Sequence, residues 1–257
     1  MSRTSFAFIS VLVFSSFWVT LFAMSWDLRI ESPRVTERAE TSTGKLEDSV
    51  KKWSIQFLKK RFELPAVSDD ASLLRFVSRS VPLSNKGYIP SPLASLSGTY
   101  INEAGRNSQL RKDARDALWA LGQSFEKKFG EPLVVVSGYR SAAYQQRLWD
   151  LGRCSDSLCA PPGYSEHQLG LAVDLFDAST EKEFQTNPRY KRYVAWLQAN
   201  AHLYGWTQSY QKGEAIDGYE VEPWHWRYIG IDMATKLHNL GWTYTEYVRF
   251  SDTMLGW

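Results

Sequence analysis

Two segments of this chain carry the residue types of a hydrolytic metal site. Residues 164–174 read YSEHQLGLAVD, and residues 222–228 read EPWHWRY. They supply three candidate ligands and one free carboxylate, namely His167, Asp174, His225 and Glu222. Three protein ligands leave a tetrahedral zinc ion with an open position for water, and a nearby carboxylate can take the proton of that water. The sequence therefore predicts a zinc-dependent hydrolase.

The spacing of these residues constrains the backbone that connects them. His167 and Asp174 would lie about 23 Å apart in a fully extended chain, so the chain must double back to bring both to one ion. Gly170 permits such a turn because glycine adopts positive φ at no steric cost. Glu222 precedes a proline, which favours β or polyproline II geometry. A regular strand would point Glu222 and His225 to opposite faces, whereas the three-residue period of polyproline II would place them on one side.

Helical and strand patterns alternate around the two segments. Apolar residues at helical spacing predict a helix over 107–129 that ends at Gly130. The β-branched run 133–136 predicts a buried strand, and Ser141 is the expected N-cap of a helix that ends at 149. Further strands are expected over 171–176, 206–210 and 224–229, and further helices over 187–205 and 231–240. These elements indicate an α+β fold with a small antiparallel sheet packed with helices around the zinc site.

The first 26 residues differ in kind from the rest. No charged residue occurs from position 4 to position 26, and an apolar span of about 20 residues can cross a bilayer as a helix. No good small-x-small cleavage pattern follows, so an uncleaved signal anchor is favoured over a cleaved signal peptide. We interpret 27–64 as a polar stalk and 65–257 as the zinc domain. The domain is then expected in the cell envelope, on the periplasmic side of the cytoplasmic membrane.

Cysteine usage and charge agree with an exported enzyme. Cys154 and Cys159 flank SDSL in a turn-rich loop, and a disulfide between them is expected in an oxidising compartment. The alternative is a metal pair, but the chain has no second cysteine pair to complete a thiolate site. The formal charge of +2 is spread along the chain without a long Lys/Arg block, so nucleic acid is not an expected partner.

Each candidate residue also has a structural interpretation. A lone histidine is more often structural than a ligand, and His202 and His238 are interpreted in that way because they lie in helical patterns without acidic companions. His167 could instead cap a turn, and Asp174 could form a salt bridge at a strand end. The joint occurrence of H-x6-D and E-x-x-H in an exported chain favours the metal site.

Four blocks of the sequence resemble the signature motifs of VanY-type D-alanyl-D-alanine carboxypeptidases. They are SGYRSAAYQQRLW (137–149), GYSEHQLGLAVDL (163–175), WLQANAHLYGW (196–206) and GYEVEPWHWRYIG (218–230), in the order found in that family. The resemblance implies the fold shared by hedgehog domains and D,D-peptidases. It also implies zinc ligation by His167, Asp174 and His225, with Glu222 as the catalytic base.

The resemblance extends to the residues that would contact the substrate. It implies that Arg140 contacts the substrate carbonyl or carboxylate, where the guanidinium could also stabilise the oxyanion, and that Gln145 and Ser165 line the same pocket. Where the family often has Arg-Tyr-Pro, this chain has Ser-Tyr-Gln at positions 209–211. Because of this difference, the resemblance does not imply a substrate contact at positions 209–211.

The implied reaction is removal of the C-terminal D-alanine from a peptidoglycan stem peptide by zinc-activated water. Three alternatives remain open at this stage. An L,D-carboxypeptidase and a cross-link endopeptidase would use the same zinc chemistry, and a cavity closed around a free carboxylate would exclude the endopeptidase. A non-catalytic zinc-containing module that binds the cell wall is the third, and the intact Glu222 argues against it.

Overall fold

The computed structural model describes residues 67–154, 159–178 and 180–255. The signal anchor predicted for 1–26 and the stalk predicted for 27–64 lie outside these ranges. Among the helices within them, none combines the length and the apolar character that a membrane span requires.

The described residues form short strands and helices in alternation. The strands are β1 (Leu93–Ser95), β2 (Ile101–Asn102), β3 (Gln109–Arg111), β4 (Leu133–Ser137), β5 (Ala172–Leu175), β6 (Trp206–Gln208) and β7 (His225–Tyr228). The helices are α1 (Lys112–Phe129), α2 (Ala142–Asp150), α3 (Glu181–Thr186), α4 (Pro188–Asn200), α5 (Glu214–Asp217), α6 (Ile231–Leu240) and α7 (Tyr244–Leu255). Two 3-10 helices, Glu166–Leu169 and Ala201–Tyr204, precede β5 and β6.

The central sheet has the strand order β2-β4-β5-β7-β6. The pairs β4–β5, β5–β7 and β7–β6 are antiparallel, as the sequence predicts. The prediction is wrong for the edge strand β2, which pairs parallel with β4. The helix α1 lies between β2 and β4 in the chain, and such a helical crossover brings the second strand back in the same direction. The fold class is α+β, with a mixed rather than an antiparallel sheet.

The helix α1 supplies one wall of the core. It buries Leu118, Leu121 and Phe125, each at most 1% exposed, and side chains of this size contribute roughly 1.5–3 kcal/mol each when fully buried. The helix ends at Gly130, which adopts φ 76°, as predicted. It begins at Lys112 rather than at 107 because the preceding residues Gln109–Arg111 pair with β1 as a strand.

The entry into β6 depends on a glycine. The helix α4 begins with Pro188 after the N-cap Asn187, and a 3-10 turn then leads to Gly205 at φ 82°. A Cβ atom at position 205 would lie 2.7 Å from the Tyr228 ring and 2.9 Å from the backbone carbon of Gly230. Only glycine therefore lets β6 approach β7 here, and β7 carries a candidate ligand.

Candidate metal centre

Sheet register brings two of the candidate ligands together. Asp174 on β5 is the direct antiparallel partner of His225 on β7. Directly opposed residues of an antiparallel pair have Cβ atoms about 4.5–5.5 Å apart and project to the same face. Both residues are buried, with relative exposures of 8% for Asp174 and 2% for His225. The strands therefore place a carboxylate and an imidazole side by side inside the protein.

The third candidate ligand, His167, reaches this face through a tight turn. It lies in the 3-10 helix Glu166–Leu169, whose N-cap Ser165 accepts a hydrogen bond from the His167 backbone N–H. Gly170 ends the helix at φ 66°, and the chain then enters β5. The predicted reversal at Gly170 is confirmed.

The three side chains have the spacing of a tetrahedral ligand set. His167 Nε2 lies 3.3 Å from Asp174 Oδ2, and His225 Nδ1 lies 3.1 Å from Asp174 Oδ1. All three candidate ligand atoms lie within 4.8 Å of one another. Ligands at zinc bond lengths of 2.0–2.1 Å are about 3.3 Å apart in a tetrahedron. The donor types and their separations fit a zinc ion.

Hydrogen bonds on the outer side of each ring fix which nitrogen is free to bind a metal. His167 Nδ1 lies 2.7 Å from the carbonyl oxygen of Gly138, and His225 Nε2 lies 2.9 Å from Glu166 Oε2. Because a carbonyl and a carboxylate accept only, each of these nitrogens carries the proton. The other nitrogens, His167 Nε2 and His225 Nδ1, lie toward Asp174 and are the ones that would bind a metal ion. Such outer hydrogen bonds orient histidine ligands in metalloproteins.

The surroundings of the ligands favour positive charge between them. Burial disfavours the charged form of His225, but its hydrogen bonds with Asp174 and Glu166 outweigh this and raise its pKa to about 10. Burial also opposes ionisation of Asp174, yet His167 and Arg140 hold the pKa of this carboxyl well below its usual range. A metal cation among the three donors would compensate the same negative charge.

Glu222 lies beside the ligand set without joining it. Its Oε2 atom is 3.6 Å from His225 Nδ1. Burial is the main reason that its pKa is raised to about 7, and the neighbouring Asp174 acts in the same direction. A carboxyl group poised near neutral pH is suited to general base catalysis.

The approach of Glu222 to His225 has a different backbone cause from the one predicted. The His225 N–H donates to the Glu222 carbonyl at 3.1 Å, which closes a turn with Pro223 at its second position. Polyproline II geometry, with no internal hydrogen bond, is therefore wrong for this segment. Proline fixes φ at the value that such a turn needs, so the E-P-W-H spacing is satisfied by a turn that leads directly into β7.

Two of the three predicted substrate contacts line the same cavity. It has a volume of about 200 Å³, and Arg140, Ser165 and the metal centre form part of its wall. The Arg140 guanidinium forms an ion pair with Asp174 and donates from Nε to Ser137 Oγ at 2.8 Å. This second bond positions the guanidinium at the cavity.

Gln145 lies elsewhere. It is not among the residues that line this cavity, and its Nε2 atom donates to the Ala160 carbonyl at 2.8 Å. Trp149 donates to the same carbonyl at 3.1 Å, so the face of α2 holds the loop that borders the cavity. The structure thus places Gln145 against the loop rather than in the lining of the cavity, and its contact with the substrate stays a prediction.

The same loop carries the predicted disulfide. Cys154 and Cys159 are bonded through their Sγ atoms, with their Cα atoms 5.2 Å apart. Cys159 and Ala160 both line the cavity. The cross-link therefore restrains the chain that leads from α2 to the wall of the cavity.

Sequence reasoning missed a buried network behind His225. Glu166 accepts hydrogen bonds from Ser209 Oγ at 2.9 Å and from Arg227 Nη1 at 3.3 Å, in addition to His225. Arg227 is fully buried and also donates to the backbone carbonyls of Leu73 and Arg75. A signal was present in the sequence, because Arg227 follows His225 by two positions and therefore shares its face of the strand.

His202 and His238 do not join the metal centre. Their rings stack on each other with centroids 3.7 Å apart and an interplanar angle of 8°. This stacking is consistent with the interpretation of both histidines as structural residues rather than metal ligands.

Similarity to known proteins matches the geometry. Residues 107–231 match the family model of VanY D-alanyl-D-alanine carboxypeptidases, a range that contains every residue of the metal centre. The chain is 31% identical over 224 residues to YodJ of Bacillus subtilis (strain 168), named as a carboxypeptidase, and the match covers 83% of this chain and 81% of YodJ. The chain belongs to the VanY family. This confirms the resemblance that the four sequence blocks indicated.

Solved structures support the same assignment. The LD-carboxypeptidase LdcB superimposes with a TM-score of 0.58 at 32% identity, over 70% of this chain and 87% of LdcB. A vancomycin-resistance D,D-pentapeptidase of the VanY type, in complex with Zn(II), superimposes with a TM-score of 0.51 at 25% identity, over 69% of this chain and 98% of that chain. These two structural neighbours are named for different specificities, one for L,D and one for D,D cleavage.

Proposed function

We propose that this VanY-family chain is a zinc-dependent D-alanyl-D-alanine carboxypeptidase that removes the C-terminal D-alanine from peptidoglycan stem peptides. The observation that carries the proposal is the convergence of His167, Asp174 and His225, with Glu222 beside them, in one cavity. The family match and the Zn(II) complex of the related D,D-pentapeptidase support the same activity.

The three ligand side chains would hold the ion through His167 Nε2, an Asp174 carboxylate oxygen and His225 Nδ1. When bound there, zinc would supply Lewis-acid activation of water and of the scissile carbonyl. The chain contributes the orientation of both rings, because Gly138 and Glu166 accept their outer N–H groups. Such outer hydrogen bonds also raise the basicity of the ligands.

Glu222 would act as the general base and then as the general acid. Its raised pKa, to about 7, suits a group that accepts a proton from water and later returns it to the departing amine of D-alanine. The residue is only 7% exposed, so bulk water is largely kept away from it. The carboxylate lies within reach of the ligand set without occupying the place of a ligand.

The cavity favours a small terminal residue over an internal peptide bond. Its volume of about 200 Å³ is below the roughly 300–1,000 Å³ that is typical of sites for drug-sized ligands. Arg140 supplies a cationic group in the wall, suited to the free carboxylate of a C-terminal D-alanine or to the carbonyl oxygen under attack. Ser165 adds a hydroxyl on the same wall. We assign a carboxypeptidase rather than an endopeptidase on this basis.

The substrate and the N-terminal sequence together suggest where the enzyme works. We propose that residues 65–257 form the zinc domain in the cell envelope, outside the cytoplasmic membrane. Residues 1–26 would serve as a signal anchor and 27–64 as a stalk. The charge-free span of the first segment supports this arrangement.

A second candidate activity is L,D-carboxypeptidase. The observation in its favour is the superposition with LdcB, which has a higher TM-score and a higher identity than the D,D-pentapeptidase match. Both activities would use the same ligands and the same base. They differ in whether an L or a D residue precedes the scissile bond.

Two substrates distinguish these activities. Purified zinc-loaded protein is incubated separately with a stem pentapeptide that ends in D-Ala-D-Ala and with the tetrapeptide that ends in a single D-alanine. Mass spectrometry of the products and an assay for free D-alanine report the cleavage. We expect the pentapeptide to lose one D-alanine. Cleavage of the tetrapeptide alone would assign L,D specificity, and release of D-alanine from neither would refute the proposed function.

A further inference from the structure

Two cavities open on the side of β6 away from the metal centre. One, of about 280 Å³, reaches Trp206 and Lys212, and the other, of about 340 Å³, reaches Lys191 and Pro223. Both are lined by the same three glutamines, Gln198, Gln208 and Gln211. We name the two cavities together the glutamine groove. It is larger than the cavity at the metal centre, and the proposed mechanism does not use it.

The same two segments, β6 with the residue after it and the turn before β7, contribute side chains to both the groove and the metal centre. Strand alternation places Trp206 and Gln208 on one face of β6, and Ser209, which bonds Glu166 behind the metal centre, projects to the other. Neighbouring residues of the turn that leads into β7 also line different cavities. Pro223 lines the groove, and the preceding Glu222 lines the catalytic cavity. A peptide that leaves the catalytic cavity over this turn would therefore enter the groove.

The groove offers hydrogen-bond donors and positive charge. The side chains of Gln198, Gln208 and Gln211 carry amide groups, which can both donate and accept hydrogen bonds, in the lining of both cavities. Lys191 and Lys212 lie in the walls of the two cavities, and no Asp or Glu is among the described residues that line either one. The Lys212 ammonium is 3.8 Å from Glu246 Oε1, a partner outside the lining. This surface complements a ligand rich in carbonyl and carboxylate oxygens.

The groove and the catalytic cavity are close along the chain. Gln208 lines the groove, and Tyr210, two residues later, lines the catalytic cavity. A substrate with its C-terminal residue at the metal centre could therefore place the residues on the amino side of the scissile bond in the groove. A carboxylate in that part of the peptide could reach the lysines.

We infer that the glutamine groove binds the acidic segment of the stem peptide, on the amino side of the scissile bond, and that Lys191 and Lys212 recognise its carboxylate. The inference rests on the proposed function for the identity of the peptide. On this inference, the groove is what distinguishes a stem peptide with a free carboxylate from one without it.

A matched pair of substrates isolates this contact. One is a stem pentapeptide with a free carboxylate on its acidic residue, and the other is the same peptide with that carboxylate amidated. The zinc-loaded full-length protein is compared with the double variant Lys191→Gln/Lys212→Gln and with Arg192→Gln. Arg192 is an exposed cation on the same helix as Lys191 and lines neither cavity. The readout is kcat/KM for D-alanine release from each peptide.

We expect the parent protein and Arg192→Gln to prefer the acidic peptide by roughly three- to tenfold, through KM, as two solvent-exposed ion pairs would produce. The double variant should lose this preference and keep the parent kcat/KM for the amidated peptide. An unchanged preference in the double variant would overturn the inference, as would an equal loss in Arg192→Gln.

Binding measurements keep this test separate from the proposed function. The two pentapeptides are titrated calorimetrically onto Glu222→Gln protein with and without the two lysine substitutions. Weaker binding of the acidic peptide after the substitutions supports the groove even if the parent releases no D-alanine. Equal affinities with and without the lysines refute the groove while leaving the hydrolytic proposal intact.

Discussion

Glu166 and Glu222 are two buried carboxyl groups on either side of His225, and replacing each by glutamine should have opposite effects on stability. Glu166 accepts hydrogen bonds from His225 and Ser209 and pairs with the fully buried Arg227. Removing one member of such a buried pair typically costs 3–5 kcal/mol because the other charge is left uncompensated. The side-chain NH2 group of Glu166→Gln would also face groups that donate to Glu166, and two donors cannot form a hydrogen bond with each other. We expect this variant to lose about 3–5 kcal/mol of unfolding free energy.

Glu222, in contrast to Glu166, is destabilised in its ionised form. No hydrogen bond to its carboxyl group offsets burial among the described contacts, and its pKa is raised from 4.5 to about 7. A folded-state pKa above the unfolded value means that stability is lost as pH rises from about 4.5 to 7. At pH 7.5 the full difference corresponds to about 3 kcal/mol. In metal-free protein, Glu222→Gln should therefore match the parent near pH 4.5 and exceed its stability by roughly 1–3 kcal/mol at pH 7.5.

Urea unfolding followed by tryptophan fluorescence measures both changes in chelator-treated protein. The same two variants are then titrated with zinc. Loss of the outer hydrogen bond to His225 should weaken zinc binding by Glu166→Gln by about 10–100-fold, whereas Glu222→Gln should bind zinc with nearly the parent affinity. Parent-like stability and zinc affinity in Glu166→Gln would refute the positioning role of Glu166. A stability of Glu222→Gln that does not diverge from the parent with pH would refute the account of its burial.

Three further predictions concern the metal, the base and the disulfide. The protein should bind one zinc per chain, and His167→Ala or His225→Ala should abolish both bound zinc and D-alanine release; full zinc content by elemental analysis in either variant would be incompatible with this ligand set. Glu222→Gln should retain zinc but lose at least 10²–10⁴-fold in kcat on the pentapeptide with little change in KM, and near-parental turnover would exclude it as the base. Thiol labelling before and after reduction should find Cys154 and Cys159 reactive only after reduction, and two reactive thiols in native protein would contradict the disulfide.

The ligand set could be predicted from the sequence because its spacing obeys local rules. The seven-residue separation of His167 and Asp174 required a reversal, and glycine at 170 was the residue able to make it. The element types also followed from local signals. Ser141 caps α2 as predicted, and α6 has the predicted bounds Ile231–Leu240. These features depend on neighbours in sequence.

The differences from expectation have a common physical origin in contacts between distant segments. The parallel pairing of β2 with β4 depends on how α1 packs, which no local pattern encodes. Gln145 lies one helical turn beyond Arg140, but only the position of the loop at Ala160 shows that its amide is already used there. The sequence at Pro223 allows either a turn or polyproline II geometry, because proline is compatible with both. The hydrogen bond from His225 to Glu222 decides between them.

The network behind His225 shows why a charged residue can lie in the centre of this sheet. On β7 the side chains alternate, so His225 and Arg227 share one face and Trp226 packs into the hydrophobic core on the other. A fully buried guanidinium is costly unless it is paired and hydrogen-bonded. Glu166 and three backbone carbonyls accept four hydrogen bonds from Arg227, and Glu166 in turn fixes the proton of His225. The same strand therefore supports both the core and the candidate ligand. The charge of Arg227 helps to keep Glu166 ionised, so that Glu166 accepts from His225 Nε2 and leaves Nδ1 as the nitrogen that lies toward Asp174.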